Sequence, residues 1–394
     1  MRKTIMISIF ILCFSPFTKS QTLLNVYQKG IIKLTPDKNY GSHTNWGQLF
    51  DDKDKVVYGN PVGKMKSIVV SEEGEVFVGN YSKYNIYKLD KKGDFIKQFG
   101  KKGGKAGEFL YRPTLHGILD NKFVFASDHQ GRIQFYDLDG NFYKMVKIDY
   151  MPLQIVALKN NKIAILGHVP YNGDVKYIVS IKDIETNKEV IVDSYFNSLI
   201  NLKAVRIKLK DGTLFSFSPT GVRDRTIIER TPEGNLIVGH NVQNKLSVYN
   251  PDGQKIQTIN LQQSPKKTTE EDKEKFILKI KQFLVEKELY EENKERLNDP
   301  DIYPGIRPVY YAIKSDYQGN ILLFHYSEGE GNSFFVYDKE GSYICETIIE
   351  QDKLEIDINA RFSTFQIHPD GLYAYVSVVD SETSEIKIIR TQLK

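Results

Sequence analysis

EEGEVFVGN (residues 72–80), DNKFVFASD (120–128), NNKIAILGH (160–168), PEGNLIVGH (232–240), YQGNILLFH (317–325) and PDGLYAYVS (369–377) repeat one pattern, a tight turn followed by a short apolar strand. A strand-rich unit of roughly 40 to 50 residues cannot bury its apolar faces alone and must pack against copies of itself. The sixfold pattern predicts an all-β fold, a six-bladed β-propeller. Propellers host binding, scaffolding and catalysis alike, so the repeat decides the architecture and leaves the chemistry to individual side chains.

Outward from each turn and strand, a further strand ends in an aromatic residue or Leu, then Asp or Asn, two variable residues and Gly. Four copies are clean: Leu89-Asp90 to Gly93, Tyr136-Asp137 to Gly140, Tyr249-Asn250 to Gly253 and Tyr337-Asp338 to Gly341. Asp or Asn caps its own backbone and Gly accepts positive φ, which together make a hairpin reversal. Blades are expected at about 63–100, 108–149, 151–195, 220–262, 305–350 and 360–394. The last shows three strands, and the alternating segment Leu24 to Leu34 is expected to supply the fourth and remove the open edges of the ring. Blade three is the weak copy: Asn187 replaces Gly in its third turn, and residues 199–218 read as an extra hairpin around Asp211-Gly212. A seventh blade is the alternative reading of that stretch, although no second Asp-x-x-Gly turn follows it.

Two insertions interrupt the repeat. Residues 36–62 form a polar loop holding the only tryptophan, Trp46. Residues 266–298 predict a helix between blades four and five, with Thr268 and Thr269 before the acidic run Glu270 to Asp272 and apolar residues at Phe276, Ile280, Phe283 and Leu284.

Residues 1–20 read as a secretory signal peptide, with Arg2 and Lys3 ahead of the apolar run Ile5 to Phe14; residues 21–394 form the propeller. The run is too short to span a membrane, and Leu12 stands where a lipoprotein motif at Cys13 needs a small residue. Without the leader's three basic residues the formal charge falls from +4 to +1, which leaves no global field for nucleic acid or an anionic membrane. Cys345 is the only cysteine outside the leader, so no disulfide forms within the mature chain, and its alternating strand context favours a small buried side chain. A monomer is expected, periplasmic or secreted, with association with the outer membrane as an alternative.

Phe99 to Pro113 (FGKKGGKAGEFLYRP) followed by Phe125 to Phe142 (FASDHQGRIQFYDLDGNF) resembles an NHL repeat, in which a Gly-rich loop leads to Phe and Pro and an Arg-Ile-Gln triplet opens the third strand. Arg132, Ile133 and Gln134 are the triplet here. In blades one, four and five it becomes Tyr84-Asn85-Ile86, Lys245-Leu246-Ser247 and Ser333-Phe334-Phe335. The insertion before PGIRPVYYAIKSDYQGNILLF is similar to that of exported six-bladed propellers of Bacteroidetes-type bacteria. The resemblance implies the fold over essentially the whole mature chain and, more loosely, ligand binding. NHL-type lyases place metal-binding histidines at the start of innermost strands; here only His116 stands at such a place, with Ser67, Leu153, Tyr311 and Phe365 at the others. In this repeat family Asp128 implies a pin for the following loop.

His129, His168, His240 and His325 fall at or just past the ends of second strands, facing the open rim; His240 and His325 share register with Asn80 and Ser377. Arg112, Arg307 and Arg361 stand shortly before innermost strands, where a guanidinium reaches a carboxylate or phosphate. Tyr310, Tyr311 and Trp46 are candidate stacking surfaces. The candidate ligand-binding set is His240, His325, Arg112, His116, Arg307, Tyr311 and Arg361. No catalytic set, P-loop, zincin motif or nucleophile elbow is present, and no ligand motif supports zinc or calcium. The expected function is recognition of a peptide, glycan fragment or envelope protein on the rim carrying the helical insertion. The alternative is a metal-assisted lyase or hydrolase in the central channel.

Overall fold

The computed structural model describes residues 23–49, 67–80, 83–128, 131–171, 174–196, 205–208, 214–217, 225–286, 288–297, 305–326, 332–350, 365–367, 373–379 and 386–393. The predicted signal peptide, Arg361, His129 and the Asp211-Gly212 turn lie outside these residues, as do the side chains of Phe276, Ile280 and Phe283.

The chain begins with α1 (Leu23–Tyr27), β1 (Ile31–Pro36) and α2 (Trp46–Leu49). The first four-stranded antiparallel sheet is β2 (Ile68–Val70), β3 (Val76–Asn80), β4 (Asn85–Leu89) and β5 (Phe95–Phe99). The second is β6 (Thr114–Leu119), β7 (Phe123–Ser127), β8 (Arg132–Asp137) and β9 (Phe142–Lys147). The third is β10 (Met151–Ala157), β11 (Lys162–Tyr171), β12 (Asp174–Asp183) and β13 (Glu189–Phe196). A hairpin, β14 (Val205–Lys208) with β15 (Leu214–Phe217), precedes the fourth sheet: β16 (Thr226–Arg230), β17 (Leu236–His240), β18 (Lys245–Tyr249) and β19 (Lys255–Asn260). Then come β20 (Lys266–Lys267), α3 (Glu270–Glu286), α4 (Tyr290–Leu297) and β21 (Ile306–Arg307). The last seven strands are β22 (Ala312–Ser315), β23 (Ile321–Tyr326), β24 (Asn332–Tyr337), β25 (Tyr343–Glu350), β26 (Phe365–Ile367), β27 (Tyr373–Val379) and β28 (Ile386–Leu393). With β1 they make one eight-stranded sheet, in the order β22-β23-β24-β25-β1-β28-β27-β26.

First strands of successive sheets lie side by side, β26 by β2, β2 by β6, β6 by β10, β10 by β16 and β16 by β22, which makes the molecule a β-propeller. Apolar clusters fill the spaces between sheets. Phe77, Ile86 and Phe99 of the first meet Leu115, Val124 and Tyr136 of the second, and Val156, Leu166 and Val179 of the third meet Ile228, Leu236 and Val238 of the fourth. Middle strands are therefore buried on both faces, which is why they read as unbroken apolar runs.

The turns follow the expected chemistry. Asp90 Oδ1 accepts from the amides of Lys92 (2.8 Å) and Asp94 (2.9 Å), and Gly93 sits at φ +88°. Asn187 carries the same reversal in the third sheet at φ +60°, a left-handed conformation that Asn tolerates.

The N-terminal segment joins the ends of the ring. Strand β1 pairs parallel with β25 (Ile31 to Ile348) and antiparallel with β28 (Leu34 to Leu393). Its leading part, Leu23–Tyr27, is helical where alternation predicted strand, because Leu23, Val26 and Tyr27 bury one side of a single turn. The Tyr27 hydroxyl donates to Asp316 Oδ2 (3.1 Å), Arg390 pairs with Asp37, and the Gly41 amide donates to the Lys92 carbonyl (2.7 Å). Trp46 is buried against Ile68, Val78, Tyr87 and Ile388, so it is core and not the stacking platform anticipated from its polar loop. Tyr310 is likewise fully buried.

Burial pushes the Asp316 carboxyl above its ordinary range, although Asn320, Tyr27 and Gln318 donate to it. A raised folded value means that the native state binds this proton more tightly than the unfolded chain. Stability from this group is therefore greatest at low pH, falls as pH rises through the folded value, and is level above it. Urea titrations of wild type and Asp316→Asn from pH 4 to 8 are expected to give a difference that shifts in favour of wild type on acidification; a pH-independent difference refutes this.

Candidate functional site at the foot of the insertions

First-to-second and third-to-fourth strand turns share one rim. The other rim therefore carries second-to-third strand loops and the connections between sheets, including β14–β15, α3, α4 and the Gly-rich loop after β5. Helix α3 starts in a capping box, with the Asp272 amide donating to Thr269 Oγ1 (3.1 Å) and the Thr269 amide to Asp272 Oδ2 (3.0 Å). Glu288 at φ +55° separates α3 from α4. The excursion is closed at its base, where Lys266 pairs with Arg307 across β20–β21 and Arg307 Nη1 lies 3.3 Å from Asp272 Oδ1. Helix α4 lies against β14, so the two insertions meet above the rim.

His240, at the end of β17, stands at the foot of this cap. Its Nδ1 is 2.9 Å from Thr226 Oγ1, the residue opposite it on β16, and its Nε2 is 3.3 Å from Asp193 Oδ2 on β13 of the neighbouring sheet. The Tyr195 ring stacks on the imidazole at 4.5 Å. Asp193 and Tyr195 immediately precede the β14–β15 excursion, and Thr226 immediately follows it. The His240 and Asp193 side chains are 12 % and 24 % exposed, and Thr226 is 7 % exposed. Burial and the nearby Asp193 charge push the Tyr249 phenol up. A carboxylate only accepts, so Asp193 fixes the proton on Nε2 and leaves Nδ1 to accept from the Thr226 hydroxyl.

The other predicted residues are dispersed. His325 stacks on Phe335 at 3.9 Å, and its Nε2 faces both Ser333 Oγ and Glu346 Oε1 at 3.1 Å. His116 Nε2 lies 2.7 Å from Ser127 Oγ. Arg112 is exposed, Arg307 is tied to α3, and Tyr311 is half-buried beside Phe324. Asn80, the register equivalent of His240, is fully buried and donates to the Tyr87 hydroxyl (2.8 Å), holding a loop instead of facing the rim. Among the described residues no three His, Cys, Asp or Glu side chains come together as metal ligands.

The Gly-rich loop is fastened from below. Arg132 donates to Asp128 and to the carbonyls of Gly104 (2.9 Å) and Glu108 (3.1 Å). Asp128 also accepts from the Leu110 amide (3.1 Å), and Gln134 bridges the Gly107 amide and the Glu108 carbonyl at 3.1 Å each. The triplet read from the sequence thus acts as a loop anchor.

Sequence reasoning missed Asp193 and Thr226. Asp193 lies 47 residues from His240, and only its place at the edge of an insertion could have drawn attention to it.

Among the described residues no helix is long and apolar enough to cross a membrane. No curated protein matches the chain. A member of the duf4221 family from Bacteroides vulgatus is similar in structure at 13 % identity and a TM-score of 0.50, covering 93 % of this chain and 98 % of that one. A streptogramin B lyase is similar at 14 % identity and a TM-score of 0.40, covering 86 % and 96 %. Residues 59–218 match the model of the DUF5128 family, described as a 6-bladed beta-propeller. The chain is a β-propeller, similar over those residues to that six-bladed family.

Proposed function

We propose that the protein is an exported six-bladed propeller that binds a peptide, glycan fragment or envelope protein on the capped rim. The count of six takes the eight-stranded sheet as two blades joined through β1, and α3 and α4 then lie between blades four and five. Export rests on the leader-like residues 1–20. The observation that carries the binding reading is the contact of α4 with β14, which joins two long excursions of the same rim, since such excursions from a rigid scaffold are where recognition concentrates.

The closed base of the helical excursion makes the test clean. Replacing residues 269–304 with a short Gly-Ser linker preserves the Lys266 to Arg307 pairing that spans the gap. Oligosaccharide and peptide arrays probed with the intact chain are expected to give ligands whose binding is lost in the excised protein while its thermal midpoint stays within a few degrees. Equal binding by both proteins, or no ligand for the intact chain on arrays and envelope extracts alike, overturns the reading.

A further inference from the structure

We infer that Asp193, His240 and Thr226 form an acyl-transfer site, with Thr226 as nucleophile and a small carboxylic ester as substrate class. The argument is the order of groups through one ring. A carboxylate sits on Nε2, a hydroxyl sits on Nδ1, and the three come from two sheets, so the imidazole links an acid in one to an alcohol in the other. A hydroxyl is a weak nucleophile until an adjacent base takes its proton, and that base works best when a third group orients it. Asp193 supplies the orientation, Tyr195 covers one face of the ring, and the β-branched side chain of Thr226 restricts where its hydroxyl points. His325 lacks this order, because Ser333 and Glu346 share its Nε2. The low exposure of Thr226 restricts access to a slim acyl group entering from the rim.

The step balances without a cofactor. Thr226 Oγ bonds to the ester carbonyl carbon while its proton passes to Nδ1 of His240, and the resulting imidazolium faces Asp193. Cleavage of the ester C–O bond releases the alcohol, which carries away the proton from Nδ1. Water then gives a proton to Nδ1 and attacks the acyl carbon; the released Thr226 oxygen recovers that proton, and the carboxylic acid leaves.

The test uses the intact chain and p-nitrophenyl acetate. Acetylation is expected on the peptide containing Thr226, at a rate that rises with pH. Thr226→Val abolishes the adduct and Thr226→Ser retains it. His240→Ala slows acylation at least about 100-fold, and Asp193→Asn slows it while Trp46 emission shows an unchanged fold. Acetyl groups scattered over surface lysines and tyrosines, or a rate indifferent to Thr226→Val in folded protein, would overturn the proposal. The wild-type pH profile and the site of labelling decide the matter even if a variant fails to fold. Loss of array binding on cap excision with Thr226 labelling retained separates this activity from the binding reading.

Discussion

Arg132→Ala is expected to destabilise the protein by about 3–5 kcal/mol, because it strands a buried carboxylate in the second sheet. Asp128 is fully buried and Arg132 nearly so, and the guanidinium also holds two carbonyls of the Gly-rich loop. Taking the guanidinium away from a buried carboxylate costs more than the loss of any single neutral hydrogen bond. Urea unfolding followed by far-ultraviolet circular dichroism measures the loss, and limited trypsinolysis is expected to cut first between Lys101 and Lys105. Arg132→Lys should rescue only part of it, since an ammonium cannot reproduce the planar fork that reaches Asp128, Gly104 and Glu108 together. A loss below about 1 kcal/mol for Arg132→Ala would show the pair to be replaceable by solvent.

Tyr27→Ala is expected to cost a similar amount, about 3–5 kcal/mol, through a cavity where α1 meets β24 and β25. Tyr27 is one of the largest fully buried side chains and packs edge-to-face on Phe334 at 5.7 Å. Tyr27→Phe removes only the donation to Asp316 and should cost about 1–2 kcal/mol. Trp46, the sole tryptophan, lies against Ile388 and so reports on the junction between β28 and the first sheet. If Tyr27 couples closure of the ring to the rest of the fold, Trp46 emission and circular dichroism will lose their coincidence in Tyr27→Ala, with emission changing at lower urea. Coincident transitions at the wild-type midpoint would mean that closure does not depend on this side chain.

The repeat was legible because its turns obey local rules: Asp90, Gly93 and their counterparts need only near neighbours in the chain. A pin at Asp128 came from the resemblance alone; its pairing with Arg132, four residues on, and its hold on the preceding Gly-rich loop came from the structure. What stayed hidden depends on distant pairing. Trp46 read as surface because its neighbours in sequence are polar, yet its packing partners are Ile68, Tyr87 and Ile388. Tyr27 read as strand because alternation over a few residues cannot tell one helical turn from an extended segment. His240 was marked by register alone, and the carboxylate and hydroxyl that give its ring a direction come from β13 and β16.

Because β1 sits between β25 and β28, the first strand to be made waits for the last. During synthesis Ile31 to Lys33 have no partner until residues 348–350 have emerged and Leu34 to Pro36 none until 391–393, so every earlier sheet must form on an open ring. Closure then joins residues more than 350 positions apart, a late step whose rate is set by chain topology more than by contact strength. Until it happens the molecule carries two unpaired strand edges, the state in which a second chain can take the place of its own β1.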